Sequence, residues 1–272
     1  MADTEKRKSG FASFSSEILW MLQPIIEYSR LPGIDRGFDA IVVEPCAEGG
    51  AIVAAVSGHA MAVLRDPDGT CSAAMTLGIP DAMFNACQPP EPICMNYCGE
   101  HYSCPLPEWA QPSVVFAYSS GTHVVPKMRH PDWAEEDTEF HPCLYTAFEC
   151  GSRYHVGQDY KWTDGTPIDW RKALDRALAS EVSTDGIFPV STRVQGLFTR
   201  IADRIAEVRQ KGASTFHRHS KNSEKGDPNP TLVTIEDYPN FVGVYMPQKP
   251  LPYQPPELWF QKRIGERIGG VQ

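Results

Sequence analysis

The sequence predicts an α+β fold in which helices pack on antiparallel sheets. Three observations lead there. Two stretches carry apolar residues at helical spacing, and each is followed by short strand-like runs. Those runs are divided by Gly, Pro and Asp turns. The chain has 272 residues, long enough to bury a large core without covalent staples.

The first helix is expected over Ser15 to Arg30, with Ile18, Leu19, Leu22, Ile25 and Ile26 on one face and Ser15 or Ser16 as cap. Pro24 should bend or shorten it. Strand runs follow at Phe38–Pro45, Ala51–Ser57 and Met61–Arg65, ended by the turn Asp66-Pro67-Asp68-Gly69. A further strand at Cys71–Leu77 leads to a short helix at Asp81–Cys87. Residues 88–111 are rich in Pro and Cys without any period and read as an inserted loop. Strand patterns return at Ser113–Ser119, Thr122–Lys127, Leu144–Cys150 and Arg153–Gln158, with a weaker helical stretch at Ile168–Ser180.

The clearest helix spans Pro189–Gln210. Val194, Leu197, Phe198, Ile201, Ile205 and Val208 form its unbroken apolar stripe, and Gly212 stands where a C-cap belongs. Two last strands are expected at Thr231–Glu236 and Phe241–Met246. The division this suggests is 11–173, 174–250, and a Pro-rich tail over 251–272.

Composition narrows the function. Gly (21) and Pro (24) make up about 17% of the chain against an average of about 12%, which implies long loops. No apolar run reaches the ~18 residues of a membrane span, and the charged start lacks a signal-type apolar core. The expected setting is cytoplasmic with no membrane partner, so eight cysteines read as thiols or metal ligands rather than a disulfide framework.

The net charge is −9, yet Gly186–Lys225 holds eight basic residues against three acidic ones. An acidic body with one basic face can meet a polyanion on that side. Arg193, Arg200, Arg204, Arg209, Lys211, Arg218 and Lys221 are therefore the candidate DNA contacts, giving salt-sensitive binding to double-stranded DNA without sequence preference. The bland alternative is a solvated helix face.

Cys94, Cys98, His101 and Cys104, with Cys87 upstream, are the densest soft ligands and would suit a structural zinc. Their spacing matches no common zinc module, so the competing reading is loop cysteines packed as small hydrophobes. No other cofactor is expected. His59, as a lone histidine, belongs to a structural role or a binding surface rather than to a base. The chain has no P-loop, dinucleotide fingerprint, nucleophile elbow or zinc-protease pair, and a non-enzymatic role is expected.

Three segments carry a resemblance. Ala55-Val56-Ser57-Gly58-His59-Ala60-Met61-Ala62-Val63 looks like Ala-Thr-Asp-Gly-His-Arg-Leu-Ala-Val. Asp164-Gly165-Thr166-Pro167-Ile168-Asp169-Trp170-Arg171-Lys172 is similar to Asp-Gly-Arg-Phe-Pro-Asp-Tyr-Arg-Arg, and Val242–Lys249 resembles a stretch ending Val-Met-Pro-Met-Arg. In this order they resemble the bacterial DNA polymerase III β sliding clamp family, matching its middle domain and half of its last. The resemblance implies DNA-clamp-like domains joined in a homo-oligomeric ring, helices facing DNA. It implies a processivity factor, phage-encoded given its shortened form.

The family's peptide pocket carries over onto Val56, Gly58, His59, Met61, Val244, Met246, Pro247, Gln248 and Lys249. It would take a DNA polymerase or clamp-loader peptide. Ala60, Gln248 and Lys249 depart from the family pattern. Leu258, Trp259 and Phe260 in the tail are candidates for an internal pocket ligand. The alternative function is a clamp-fold binding module, a regulator or decoy for clamp-binding peptides that does not encircle DNA. A cysteine- or metal-dependent enzyme centred on Cys87–Cys104 is the third.

Overall fold

The computed structural model describes residues 11–32, 40–79, 83–84, 87–89, 93–97, 100–104, 114–118, 121–125, 169–183, 190–222 and 228–247. The α+β class expected from the sequence is the class observed. The main layer is a seven-stranded antiparallel sheet. Its strands are β2 (Ala40–Pro45), β3 (Ala51–Val56), β4 (Ala60–Asp66), β6 (Met75–Gly78), β11 (Thr215–Arg218), β12 (Thr231–Ile235) and β13 (Phe241–Tyr245), in the order β11-β12-β13-β4-β3-β2-β6.

The sheet is built from two like halves. Helix α1 (Ser16–Ser29) precedes β2–β3–β4, and helix α3 (Thr192–Arg209) precedes β11–β12–β13. The halves meet where β4 and β13 run antiparallel, Ala62 opposite Gly243 and Met61 opposite Val244. The junction is closed at both ends by equivalent bonds, Met246 N–H to the His59 carbonyl at 2.9 Å and Arg65 N–H to the Asn240 carbonyl at 2.9 Å. The sequence division at 173/174 thus runs between segments that share one sheet and one core.

Alternation along these strands sends side chains to two buried faces, which is why β2, β3 and β4 read as almost continuous apolar runs. Ile41, Val43, Val53, Ala55, Ala62, Leu64, Val233, Phe241 and Tyr245 face α1 and α3. Val42, Ala54, Met61, Val63, Leu232 and Val244 face the short helix α2 (Trp170–Ala179), which contributes Trp170 and Ala177. Asp169 caps α2 by accepting from the Lys172 amide. A second sheet of β1 (Phe11–Ser15), β5 (Thr70–Cys71), β9 (Val114–Tyr118) and β10 (Gly121–Val125) adds Ala12, Phe14, Val115, Ala117 and Val124 to the larger core.

Several expectations are corrected. The segment 88–111, expected as a loop, contains the hairpin β7 (Ile93–Tyr97) and β8 (Glu100–Cys104). Strands β1 and β11 were not expected. The first helix is not capped by a serine side chain: the Ser15 amide instead donates to Asp66 Oδ2 at 2.7 Å. Gln210, not Gly212, takes the left-handed cap after α3 (φ 51°). Pro24 does not end α1, which continues to Ser29. The strands expected at 144–150 and 153–158 and the tail 251–272 lie outside the described residues. Among the described residues, no helix is long and apolar enough to cross a membrane.

Candidate functional site

The basic residues nominated for DNA are held mostly by the protein itself. On α3, Arg204 donates to the backbone carbonyl of Trp20 and its guanidinium lies 4.8 Å from the centre of the Trp20 ring. Burial, then the Arg200 charge, holds Arg204 below the ordinary arginine value, with Glu27 and Glu207 opposing. Arg200 is 2.8 Å from Glu27 Oε2, and Gln23 donates to the other oxygen of the same carboxylate at 2.6 Å. This polar seam joins α1 to α3.

Arg209 donates to the Glu236 carbonyl at 3.3 Å and covers the Tyr238 ring at 5.5 Å. Lys211 pairs with Asp237 at 2.7 Å, Arg218 donates to the Ser180 carbonyl at 3.0 Å, and Lys221 pairs with Glu181 at 2.6 Å. The exposed charges of α3 are Arg193, Arg200, Asp203 and Glu207, which balance. Lys211 and Lys221 are also exposed, each beside its carboxylate partner.

The two ends of the resemblance, 55–63 and 242–249, are brought together. Ser57 closes the β3–β4 turn, accepting from the Ala60 amide at 3.0 Å and donating from its hydroxyl to the Ala60 carbonyl at 2.9 Å. Gly58 and His59 are thereby held out at the tip, both exposed. The His59 carbonyl receives Met246, which carries β13 alongside. Val56, Met61 and Val244 sit side by side on three neighbouring strands.

Coverage of this row is uneven. Met61 and Val244 are buried within the cluster that α2 covers, so they form floor rather than open pocket. Val56 is half-buried, while Met246, two residues beyond Val244 on the same face, is 37% exposed. The apolar row therefore emerges at Val56 and Met246, beside His59 and the half-buried Pro247. Gln248 and Lys249 lie outside the described residues.

Residues that no motif singled out shape the neighbourhood. Glu44 on β2 is nearly buried, accepting from Trp170 Nε1 at 3.4 Å and from the Arg171 guanidinium, which stacks 4.3 Å over the Trp170 ring. This anchors the start of α2 on the same sheet face. A buried carboxylate on an otherwise apolar strand, Ala-Ile-Val-Val-Glu-Pro, was the available signal.

A cavity of about 250 Å³ lies between β1, the first turn of α1, the β4–β5 turn and Tyr238. None of the nominated residues lines it.

Three of the nominated zinc ligands, Cys94, His101 and Cys104, lie on the β7–β8 hairpin. Cys94 stands opposite Ser103, His101 opposite Asn96 and Cys104 opposite Ile93. Cys98 lies outside the described residues, and among the described residues no group of three or more His, Cys, Asp and Glu is placed to hold a metal. Cys87 is buried, which pushes its thiol upward as expected of a packed small hydrophobe.

No family model matches the sequence, and no curated protein matches it. Among solved structures, the crystal structure of a DNA polymerase sliding clamp from Caulobacter crescentus is similar at a TM-score of 0.44 and 11% identity, covering 92% of this chain and 68% of that one.

Proposed function

We propose that this chain is a clamp-fold binding module whose working surface is the end of the β3–β4–β13 row rather than the helix face. It takes a short apolar or aromatic peptide of the kind that clamp partners carry, without enclosing DNA. The observation behind this reading is the Met246–His59 bond. It joins two distant segments, each resembling part of a peptide pocket, at the place where the apolar row reaches solvent. Met246 supplies an adaptable anchor, and the rigid turn at Ser57 pre-organises its neighbours. The α3 arginines Arg200 and Arg204 have protein partners in Glu27 and the Trp20 carbonyl, and this reading takes that bonding, rather than DNA contact, as their role.

The replication tether is the second reading, and one arrangement favours it. Helices α1 and α3 lie together on one face of the large sheet, as a duplex-facing helix pair would. Fluorescence anisotropy with a labelled clamp-binding peptide tests the assigned surface. The module reading expects peptide binding that Met246→Asp weakens at least tenfold while Arg200→Ala leaves it unchanged. Peptide binding indifferent to Met246→Asp removes the assigned surface.

A further inference from the structure

We infer that His217 and His219 form an acid-sensitive latch that fastens the outermost strand of the large sheet, β11, and the short edge segment 181–183 to the body of the protein. This inference stands apart from the docking surface. It concerns the face of β11 turned toward α3.

The geometry is a chain of polar groups crossing three strands. Thr215 Oγ1 lies 3.3 Å from His217 Nε2, and His217 Nδ1 lies 3.3 Å from the Tyr245 hydroxyl. Tyr245 is hydrogen-bonded in turn to Thr231, whose Oγ1 is 3.2 Å from His219 Nδ1. The two imidazoles stack at 6.4 Å with 28° between their planes, and Phe198 of α3 meets His217 edge-on at 6.4 Å. Strand β11 and the residue that follows it thus place two titratable rings against an aromatic surface and against each other.

Beyond His219, the edge segment is tied to the same end of β11. Ser183 N–H donates to the His219 carbonyl at 2.9 Å, and Lys221 N–H to the Glu181 carbonyl at 2.8 Å. The position of His219 thus bears on both pieces.

Among the described residues, the following groups surround the pair. α3 turns Phe198 toward it, while Arg193, Arg200 and Asp203 lie on the solvent side. β13 contributes the Tyr245 phenol, which burial keeps protonated, and β12 contributes Thr231. Arg218 sits between the two histidines in sequence, so it faces the other way, donating to the Ser180 carbonyl. At the edge, Lys221 is paired with Glu181.

Burial lowers both imidazoles below their ordinary value, and the neighbouring imidazole lowers His217 further. The folded state therefore favours the neutral rings. The associated stability is full above the unfolded value of about 6.5 and is lost as pH falls below it.

Hydrogen exchange on the full chain at pH 7.5 and 5.5, corrected for intrinsic rates, tests this. Protection of the Phe216–Arg218 and Ser183 amides should fall at least tenfold more than that of Val53–Ala55 in β3. In the double variant His217→Gln, His219→Gln the excess acid loss should vanish. Equal loss in β3 and β11, or an unchanged acid loss in the double variant, overturns the latch. If the double variant fails to fold, the wild-type comparison between β11 and β3 decides alone.

Discussion

Arg204 fills the hydrogen-bonding gap that Pro24 leaves in α1. A helical residue at 24 would donate its amide to the carbonyl four residues back, which is that of Trp20. Proline has no amide proton, and Arg204 of α3 donates to the Trp20 carbonyl instead, its guanidinium lying over the Trp20 ring. Pro24 is buried inside a 14-residue helix, and this outside donor satisfies the carbonyl it orphans.

Arg204→Ala should therefore destabilise the protein by about 2 kcal/mol, through a lost charged hydrogen bond and cation–π contact. Arg193→Ala, on the exposed face, should change stability by less than about 0.5 kcal/mol. In a Pro24→Ala background, where the backbone supplies its own donor, removing Arg204 should cost about 1 kcal/mol less. Urea titrations of the four proteins check this; additive effects would show that Pro24 and Arg204 are uncoupled.

Gly243 sits where β13 passes beneath Phe198. A Cβ there would stand 2.4 Å from Phe198 Cε1, and that ring is fully buried. Gly243→Ala should cost about 1–3 kcal/mol by overpacking. Thermal unfolding at neutral pH measures it, and a neutral result would mean that α3 shifts freely on the sheet.

Trp170 and Glu44 hold α2 against the outer face. Trp170→Ala should release the helix locally, so that trypsin cuts at Arg171, Lys172 or Arg176 at least tenfold faster while α1 and α3 remain protected. Mass spectrometry of timed digests locates the cuts. Cleavage at wild-type rates would show that α2 is held by other contacts.

The binding-module reading also expects a single chain of 30.2 kDa in solution. Light scattering coupled to size exclusion gives the mass directly. A stable dimer or trimer would favour the ring.

Much of the fold was legible because it follows from short-range pattern. The stripe Val194, Leu197, Phe198, Ile201 and Ile205 is buried as expected, and β3, β4, β12 and β13 fall within one residue of their expected spans. Strand β11 was missed because Thr-Phe-His-Arg carries one exposed and three half-buried side chains and so lacks an apolar face. The β7–β8 hairpin was hidden by the high Pro and Cys content around it.

The candidate site was legible only in part. Sequence spacing placed Arg200 and Arg204 on one flank of the helix and Arg209 on the other, but their partners, Glu27, the Trp20 carbonyl and the Glu236 carbonyl, come from segments far away in sequence. Periodicity finds a charged face; it cannot tell a solvated cation from one folded onto a neighbour. The resemblance named His59 and Met246 as parts of one pocket, and the structure brings their backbones together, yet the burial of Met61 and Val244 depends on α2, which local pattern does not position.

The most direct test titrates one protein sample with a labelled clamp-binding peptide and, separately, a labelled 20-base-pair duplex, at 50 and 200 mM salt. The account predicts saturable peptide binding that changes little with salt, and no duplex binding at 200 mM. Duplex binding that falls a hundredfold or more between the two salts, is lost in Arg200→Ala, Arg204→Ala, and occurs without peptide binding would contradict it.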